Sequence, residues 1–285
     1  MVSLIIVSYN CLDSLIRTLD SIGLKTYHPY ELIVIDNNSA DHTAEWLERK
    51  RDSLKPPSGR IQLIFNQENQ GYSAACNQGI ALASGDYLAF LNSDLLVSDF
   101  WLTRLVDHLR KIPRAGMVGP LGKGIGGSQN YVQIYREIGY YQPAAGGLDH
   151  YNQLVYSRYQ GSYAETKFLI GCCILVKKEL IDRVGGFDQA LFMSADDFDF
   201  SLRARIVGYG LYVADDVVIH HYDHQSFNTL EATVANRYIE QGWSVFRQKW
   251  ARLLQKYSMD DLFYNNRRLF FRGIKKGRRS AVKIY

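Results

Sequence analysis

The stretch Gly85-Asp86-Tyr87-Leu88-Ala89-Phe90-Leu91-Asn92-Ser93-Asp94 constrains the fold more than any other. Its apolar run, Tyr87 to Leu91, is too short for a buried helix and suits an interior strand of a parallel sheet. It stops abruptly at an amide and a carboxylate. In open α/β sheets, ligands sit just beyond the carboxyl ends of such strands. Asn92 and Asp94 are two apart, so on an extended segment they project to the same side. Two oxygen-bearing side chains there could hold a hard divalent cation that bridges to substrate phosphates. Asn-Ser-Asp is also good turn chemistry and could cap a following helix.

The chain before this stretch repeats one pattern. Ser3 to Tyr9 reads as a buried strand, with Asn10 placed to cap a helix carrying Leu12, Leu15, Ile16, Leu19 and Ile22 at helical spacing. Glu31 to Asp36 is a second strand, followed by a helix with Ala44 and Leu47 on its inner face. Ile61 to Phe65 is a third, and Asn69 to Ser73 leads into a small-residue helix that Gly85 stops. Strands alternating with helices mean a doubly wound, mainly parallel α/β sheet. Three strands end in polar clusters: Ser8-Tyr9-Asn10, Asp36-Asn37-Asn38 and Asn92-Ser93-Asp94. Converging on one sheet edge, they would make a nucleotide-sized pocket, with Asp36 accepting from a base N–H and Tyr9 covering the ring. No Gly-rich phosphate loop of the P-loop or dinucleotide type follows the first strand, which argues against both classes.

The second half is less regular. Residues 99–112 form an amphipathic helix, Met117-Val118-Gly119 a short strand, and Gly122 to Tyr163 an irregular loop expected to lie over the pocket. Phe168 to Val176 reads as a strand and Lys178 to Val184 as a helix ended by Gly185-Gly186. Asp196-Asp197-Phe198-Asp199 places three carboxylates in four residues. A helix N-terminus accommodates one or two, but three together are costly unless one meets a cation or keeps its proton. Gly210–Ala214 and Val217–Ile219 read as two strands. The second ends in His220-His221-Tyr222-Asp223-His224, a better metal-ligand signal than a lone histidine. Leu230 to Tyr257 is helical, with Trp243, Phe246 and Trp250 on one face.

Charge is uneven along the chain. Arg267 to Tyr285 holds eight Lys/Arg and no acid, leaving 25 basic against 29 acidic residues elsewhere. The expected organisation is a domain over 1–227, divided at 98, and a helical basic extension over 228–285. That extension suits an anionic membrane face, and no nucleic acid partner is expected. The four cysteines lack metal-ligand spacing and read as buried hydrophobes of a reduced, cytoplasmic protein, peripheral at the membrane if the tail binds it. No signal peptide is read at Met1 to Tyr9.

At this point the chain resembles the family-2 nucleotide-sugar glycosyltransferases of the GT-A fold. The matching pieces, in order, are Leu4–Asn10, Val34–Ser39, Asn69–Gly79, Leu91–Asp94, Val184-Gly185-Gly186-Phe187-Asp188 and Asp196–Asp199. The resemblance implies inverting transfer from a nucleotide-sugar donor to a saccharide or lipid-linked acceptor, with Mg²⁺ or Mn²⁺. Asp94 matches the last acid of the family's D-x-D motif, whose first acid is replaced by Asn92, as in rhamnosyltransferase-like members. Asp197 matches the base, and Asp196 stands where the family usually has Glu. His220 matches a strand-end metal contact, with His221 a close competitor. Ser8, Tyr9, Asp36, Asn38, Gly71, Asn77, Asn92 and Ser93 are implied at the nucleotide, and Gly171 and Asp196 at the donor–acceptor pocket. The favoured donor is dTDP-rhamnose, with a UDP-hexose or UDP-N-acetylhexosamine second. A non-catalytic sugar-nucleotide-binding protein is the reading from another class.

Overall fold

The computed structural model describes residues 1–131, 134, 138, 147–222 and 232–264, and the backbone of 274–275 and 278–279. Four strands of the first half, β1 (Val2–Ser8), β2 (Tyr30–Asp36), β3 (Ile61–Phe65) and β4 (Tyr87–Asn92), lie in the order β3-β2-β1-β4, all parallel. The expected α/β alternation gives this half directly. β2 is buried at all seven positions, the signature of a strand covered on both faces.

Alternation along the strands divides the core in two. Leu4, Ile6, Leu32 and Val34 pack with Leu15, Leu19 and Ile22 of the helix Leu12–Lys25 and with Trp101, Leu105 and Leu109 of Trp101–Lys111. Ile5, Ile33, Ile35 and Phe90 pack on the other face against Ala75 and Cys76 of Tyr72–Leu82 and Phe200 of Asp196–Ile206. Each such fully buried Leu or Ile contributes roughly 1.5–3 kcal/mol. The first helix is capped differently from the expectation. Asn10 precedes the cap position, and Asp41 Oδ2 accepts from Leu12 N at 2.8 Å.

Beyond β4 the same sheet becomes mixed. β5 (Leu95–Leu96), β6 (Ala115–Lys123), β7 (Tyr163–Thr166), β8 (Cys173–Lys177) and β9 (Gly210–His221) complete it. β8 runs antiparallel to both β4 and β6, while β6 and β9 are parallel. The two strands expected near 210–219 are one, β9. Asp215 and Asp216, which read as a break, are held inside it: Asp215 Oδ2 accepts from Ser162 Oγ, and Asp216 meets His108 Nε2 and Gly161 N. A register shift between Pro120 and Leu121 of β6 absorbs the irregularity.

The irregular stretch expected over the pocket contains a helix, Gly147–Tyr159, packed along β9 by Tyr151, Val155 and Tyr159. Residues 168–172 are not strand. Ile170 N donates to Gln129 Oε1 and Leu169 N to Ser201 Oγ, so side chains replace the ladder there. The C-terminal helix is shorter than expected, Ala232–Lys249. The expected helical tail pairs instead as a short antiparallel ladder, Ile274 with Arg279 and Lys275 with Arg278. The rest of the basic run, and His224, lie outside the described residues. Among the described residues no helix is long and apolar enough to cross a membrane.

Candidate active site

The carboxyl ends of β1 and β4 and the 170–172 segment enclose a cleft of about 210 Å³. Val7, Tyr9, Asn37, Asn69, Gly71 and Tyr72 line one part of it. Asn92, Ser93, Asp94 and His221 line a second, and Ile170, Gly171, Cys172, Met193, Asp196 and Asp197 a third.

At the second part, His221 Nε2 lies 3.2 Å from Asp94 Oδ1 and 3.3 Å from Asn92 Nδ2. The other ring nitrogen, Nδ1, lies 3.0 Å from the Gly124 carbonyl, which can only accept, so Nδ1 carries the proton. Nε2 of the neutral ring is then a lone pair facing a carboxylate oxygen. Either a proton on Nε2, which makes the ring cationic, or a bound metal ion holds such a pair together. Asp94 and His221, with the Asn92 amide beside them, therefore fit a divalent cation that takes its remaining oxygens from a diphosphate and water. Among the described residues no three His, Cys, Asp or Glu side chains cluster as a closed metal site. His220, placed first by sequence, does not line the cleft. Neighbours on a strand face opposite ways, and its ring packs on Tyr222, 4.5 Å between centroids.

At the third part, Asp196 and Asp197 open the helix Asp196–Ile206. Asp197 Oδ2 accepts from Gly171 N at 3.2 Å and Oδ1 from Phe198 N at 2.8 Å. Burial pushes both carboxyls above the ordinary carboxylate range, and the adjacent Asp197 charge raises Asp196 further. Asp199 is fully buried on the same helix and belongs elsewhere. Arg203, Lys249 and Trp250 occupy its oxygens.

Asp36 does not line the cleft. It is buried one residue before Asn37, and burial raises its carboxyl despite the donors of Ser39. Its Oδ2 accepts from Ser39 N, while its buried Oδ1 has no hydrogen-bond partner among the described residues. An orphaned acceptor of this kind is costly unless a ligand donor meets it.

Three expected residues sit elsewhere. Ser8 alternates away from Val7 and Tyr9 and contacts Cys11 Sγ at 3.4 Å, which in turn meets Ser93 Oγ at 3.0 Å. Asn38 is exposed at φ 69°, turning the chain, and Asn37 takes the cleft position. Asn77 is used twice by the Phe187 backbone, donating to its carbonyl and accepting from its N–H, both at 2.8 Å. It holds the Gly185-Gly186-Phe187 turn and does not line the cleft. Gly71 is required where it stands. At φ 80° a side chain is disfavoured, and a Cβ would meet Phe192 at 2.5 Å.

The sequence pattern described as Glycosyl transferase family 2 matches residues 3–185. The chain belongs to glycosyl transferase family 2. Similar to this family-2 chain is an N-acetylglucosaminyl-diphospho-decaprenol L-rhamnosyltransferase of Mycobacterium tuberculosis, 26% identical over 77% of this chain and 76% of its own. So is the UDP-Glc:alpha-D-GlcNAc-diphosphoundecaprenol beta-1,3-glucosyltransferase WfaP of Escherichia coli, 35% identical over 38% of this chain and 39% of its own. The chain spans from 25% to 76% of the length of the curated relatives it matches. The mannosyltransferase PcManGT from Pyrobaculum calidifontis, solved in complex with GDP-Man and Mn²⁺, has the same fold. It superposes with a TM-score of 0.57 at 24% identity, over 77% of this chain and 56% of that one. The fold is GT-A.

Within the family-2 site, sequence reasoning missed Val7, Asn37, Asn69, Tyr72, Ile170, Cys172 and Met193. Period-two alternation from Ile5 and Ile35 reaches Val7, Tyr9 and Asn37, so the signal for those was present. Asn69 is a loop side chain bonded to Asn37 Nδ2 at 2.9 Å. Met193 is placed only by tertiary packing.

Proposed function

We propose that the chain is an inverting glycosyltransferase that moves a sugar from a nucleotide-diphosphate donor to a hydroxyl of a saccharide or lipid-linked acceptor in cell-surface polysaccharide assembly. The observation that carries this reading is a single cleft with an Asp94–His221 pair in one part and a buried Asp196 beside a half-buried Asp197 in another. Tyr9 and Asn37 face the nucleoside, and Asp36 stands one residue behind Asn37, off the cleft wall. Asp94 and His221, with Asn92, hold a divalent cation, Mg²⁺ or Mn²⁺. When bound, the cation supplies Lewis-acid stabilisation for the charge on the departing diphosphate. Asp197, fixed through both oxygens by the Gly171 and Phe198 N–H groups, takes the proton of the attacking hydroxyl. Its raised affinity for a proton improves it as a base. Base and leaving-group site reach the cleft from separate elements, as a single displacement requires.

The favoured donor is dTDP-rhamnose. Two things support it: the rhamnosyltransferase relative aligns over most of both chains, and Ile170, Cys172 and Met193 give the pocket beside Gly171 an apolar wall suited to a deoxysugar methyl. The glucosyltransferase relative favours a UDP-hexose or UDP-N-acetylhexosamine as the second reading. A non-catalytic binding protein has no use for two adjacent carboxylates of raised proton affinity beside the donor site. Residues 228–285 form an extension whose basic end attaches to an anionic membrane face. Deleting residues from Arg267 onward then releases the protein from anionic liposomes, and unchanged binding removes that part of the reading.

The decisive experiment is calorimetric binding of dTDP-rhamnose, UDP-glucose, UDP-GlcNAc and GDP-mannose, with and without Mn²⁺, to wild type and Asp94→Ala. One donor should bind in a metal-dependent way that the variant loses. Binding indifferent to both metal and substitution overturns the metal mechanism.

A further inference from the structure

The segment that brings Asp196 and Asp197 to the cleft is held from beyond the residues that the family pattern matches. On one side of residues 191–195, the Leu191 and Phe192 carbonyls accept from Ser73 Oγ and Tyr72 N, both at 2.7 Å. On the other side lies the helix Ala232–Lys249. Phe192 stacks on Tyr238 with centroids 4.6 Å apart, and Ser194 Oγ donates to the Ile239 carbonyl at 3.0 Å. Gly242 stands in the interior of that helix, where glycine costs about 1 kcal/mol relative to alanine. A Cβ there would lie 2.6 Å from the Ser194 carbonyl oxygen and collide with its hydroxyl as well. Glycine is what allows the helix to come this close.

A second anchor sits at the end of the same helix. Lys249 Nζ and Trp250 Nε1 both lie 2.9 Å from Asp199 Oδ1, and Arg203 Nε lies 2.8 Å from Oδ2. Arg203 also donates to the Val184 and Gly186 carbonyls, at 2.9 and 2.8 Å, so the Gly-Gly turn is tied to the same carboxylate. Between the anchors, Ala195 has φ 60°. A left-handed alanine is a strained conformer that persists only when both ends are fixed.

We propose that Gly242, acting through Ser194, and Lys249 and Trp250, acting through Asp199, are positioning residues that set the Asp197 carboxylate against the cleft. This inference rests on the reading of Asp197 as the base. A displacement of about 1 Å at such a group can cost up to 100-fold in rate. Asn92, Asp94 and His221 stand on β4, the loop after it and β9, so the same displacement leaves the metal side of the cleft, and with it metal-dependent nucleotide binding, largely in place.

The test uses the full chain carrying Gly242→Ala, Lys249→Met, Lys249→Arg, Trp250→Phe and, alongside, Asp197→Asn. Three quantities are read: transfer from dTDP-rhamnose or UDP-glucose to a GlcNAc-diphospho-lipid, affinity for dTDP or UDP with Mn²⁺, and amide exchange over 191–199. Gly242→Ala and Lys249→Met should lower kcat about tenfold or more, keep nucleotide Kd within about twofold, and speed exchange at 194–198. Trp250→Phe should give a smaller loss of kcat, and Lys249→Arg should restore kcat to within about threefold. Unchanged kcat, or kcat and nucleotide affinity falling together, overturns the inference. Full activity in Asp197→Asn would instead overturn the assignment of the base. In that case, or if neither donor is used, exchange decides the coupling: unchanged exchange at 194–198 overturns it and faster exchange supports it.

Discussion

The two carboxylate sites of the cleft are built in different ways. Asp94 stands just past β4, a strand in unbroken parallel register with β1, and its histidine partner ends β9. Asp197 stands after a left-handed alanine. It is held by a backbone N–H of the irregular 170–172 segment and backed by a helix more than thirty residues further along. The first site is a property of the sheet. The second is a property of tertiary packing, and it concentrates two adjacent acids of raised proton affinity, which costs stability. A sheet edge suits a nucleotide, whose shape recurs, whereas a packed loop can be reshaped for different acceptors.

The sharpest way to break this comparison is to disable one site at a time. Asp197→Asn should lower kcat by about 10²–10⁴ while metal-dependent nucleotide binding survives. Asp94→Ala should abolish that binding. If Asp197→Asn weakens nucleotide affinity as much as Asp94→Ala does, the division of labour is wrong. A smaller effect separates the two adjacent histidines. His221→Ala should weaken Mn²⁺ affinity in the presence of nucleotide by about 10–100-fold, and His220→Ala by much less. The reverse order in a manganese titration would restore His220 as the ligand.

Legibility follows the same division. The strands of the first half were readable because each is a short β-branched run bounded by polar or glycine residues, and Asn92-Ser93-Asp94 announced its own position. The errors there were of facing. Ser8, Asn38 and His220 each stand one residue from a cleft-lining neighbour, Tyr9, Asn37 and His221, and strict alternation separates the members of each pair. The second half resisted for a different reason. The loop at 168–172 keeps an apolar, strand-like composition, but Gln129 and Ser201 satisfy its backbone. Met193 lines the cleft because its neighbours Leu191, Phe192 and Ser194 are bonded to Tyr72, Ser73 and the helix Ala232–Lys249, which no local periodicity encodes. The family resemblance picks Asp197 over Asp199, and the Lys249 and Trp250 contacts on Asp199 supply the physical reason.

Asn77 gives a prediction at the seam between the halves. Its amide joins the helix Tyr72–Leu82 to the turn at Gly186-Phe187 by a reciprocal pair of hydrogen bonds. Asn77→Ala leaves a buried backbone donor and acceptor unmet, which costs about 1–3 kcal/mol. Thermal unfolding should register that loss while nucleotide affinity of the remaining folded protein stays level. A selective loss of nucleotide affinity, with unfolding unchanged, would return Asn77 to the binding site.

The smallest effect tests whether the Asp197 side carries stored electrostatic cost. Asp196 is buried, and its folded-state affinity for a proton exceeds that of an exposed aspartate near 3.9. Between the unfolded and folded pKa values the native chain therefore binds more protons than the unfolded chain, so stability falls as pH rises through that window. Below the window both states are protonated and the cost vanishes. Asp196→Asn keeps the shape and removes the charge, so its advantage over wild type should be near zero at pH 4 and grow toward pH 8. There a gain of about 3 °C in Tm is expected, on a scale of 2–4 °C per kcal/mol for a chain of this order of size. Asp94→Asn is the control on the opposite side, where the acid has a histidine 3.2 Å away and no second carboxylate beside it. A Tm difference for Asp196→Asn that stays flat from pH 4 to pH 8 would mean that its carboxylate is not under strain, and that the two sides of the cleft are alike after all.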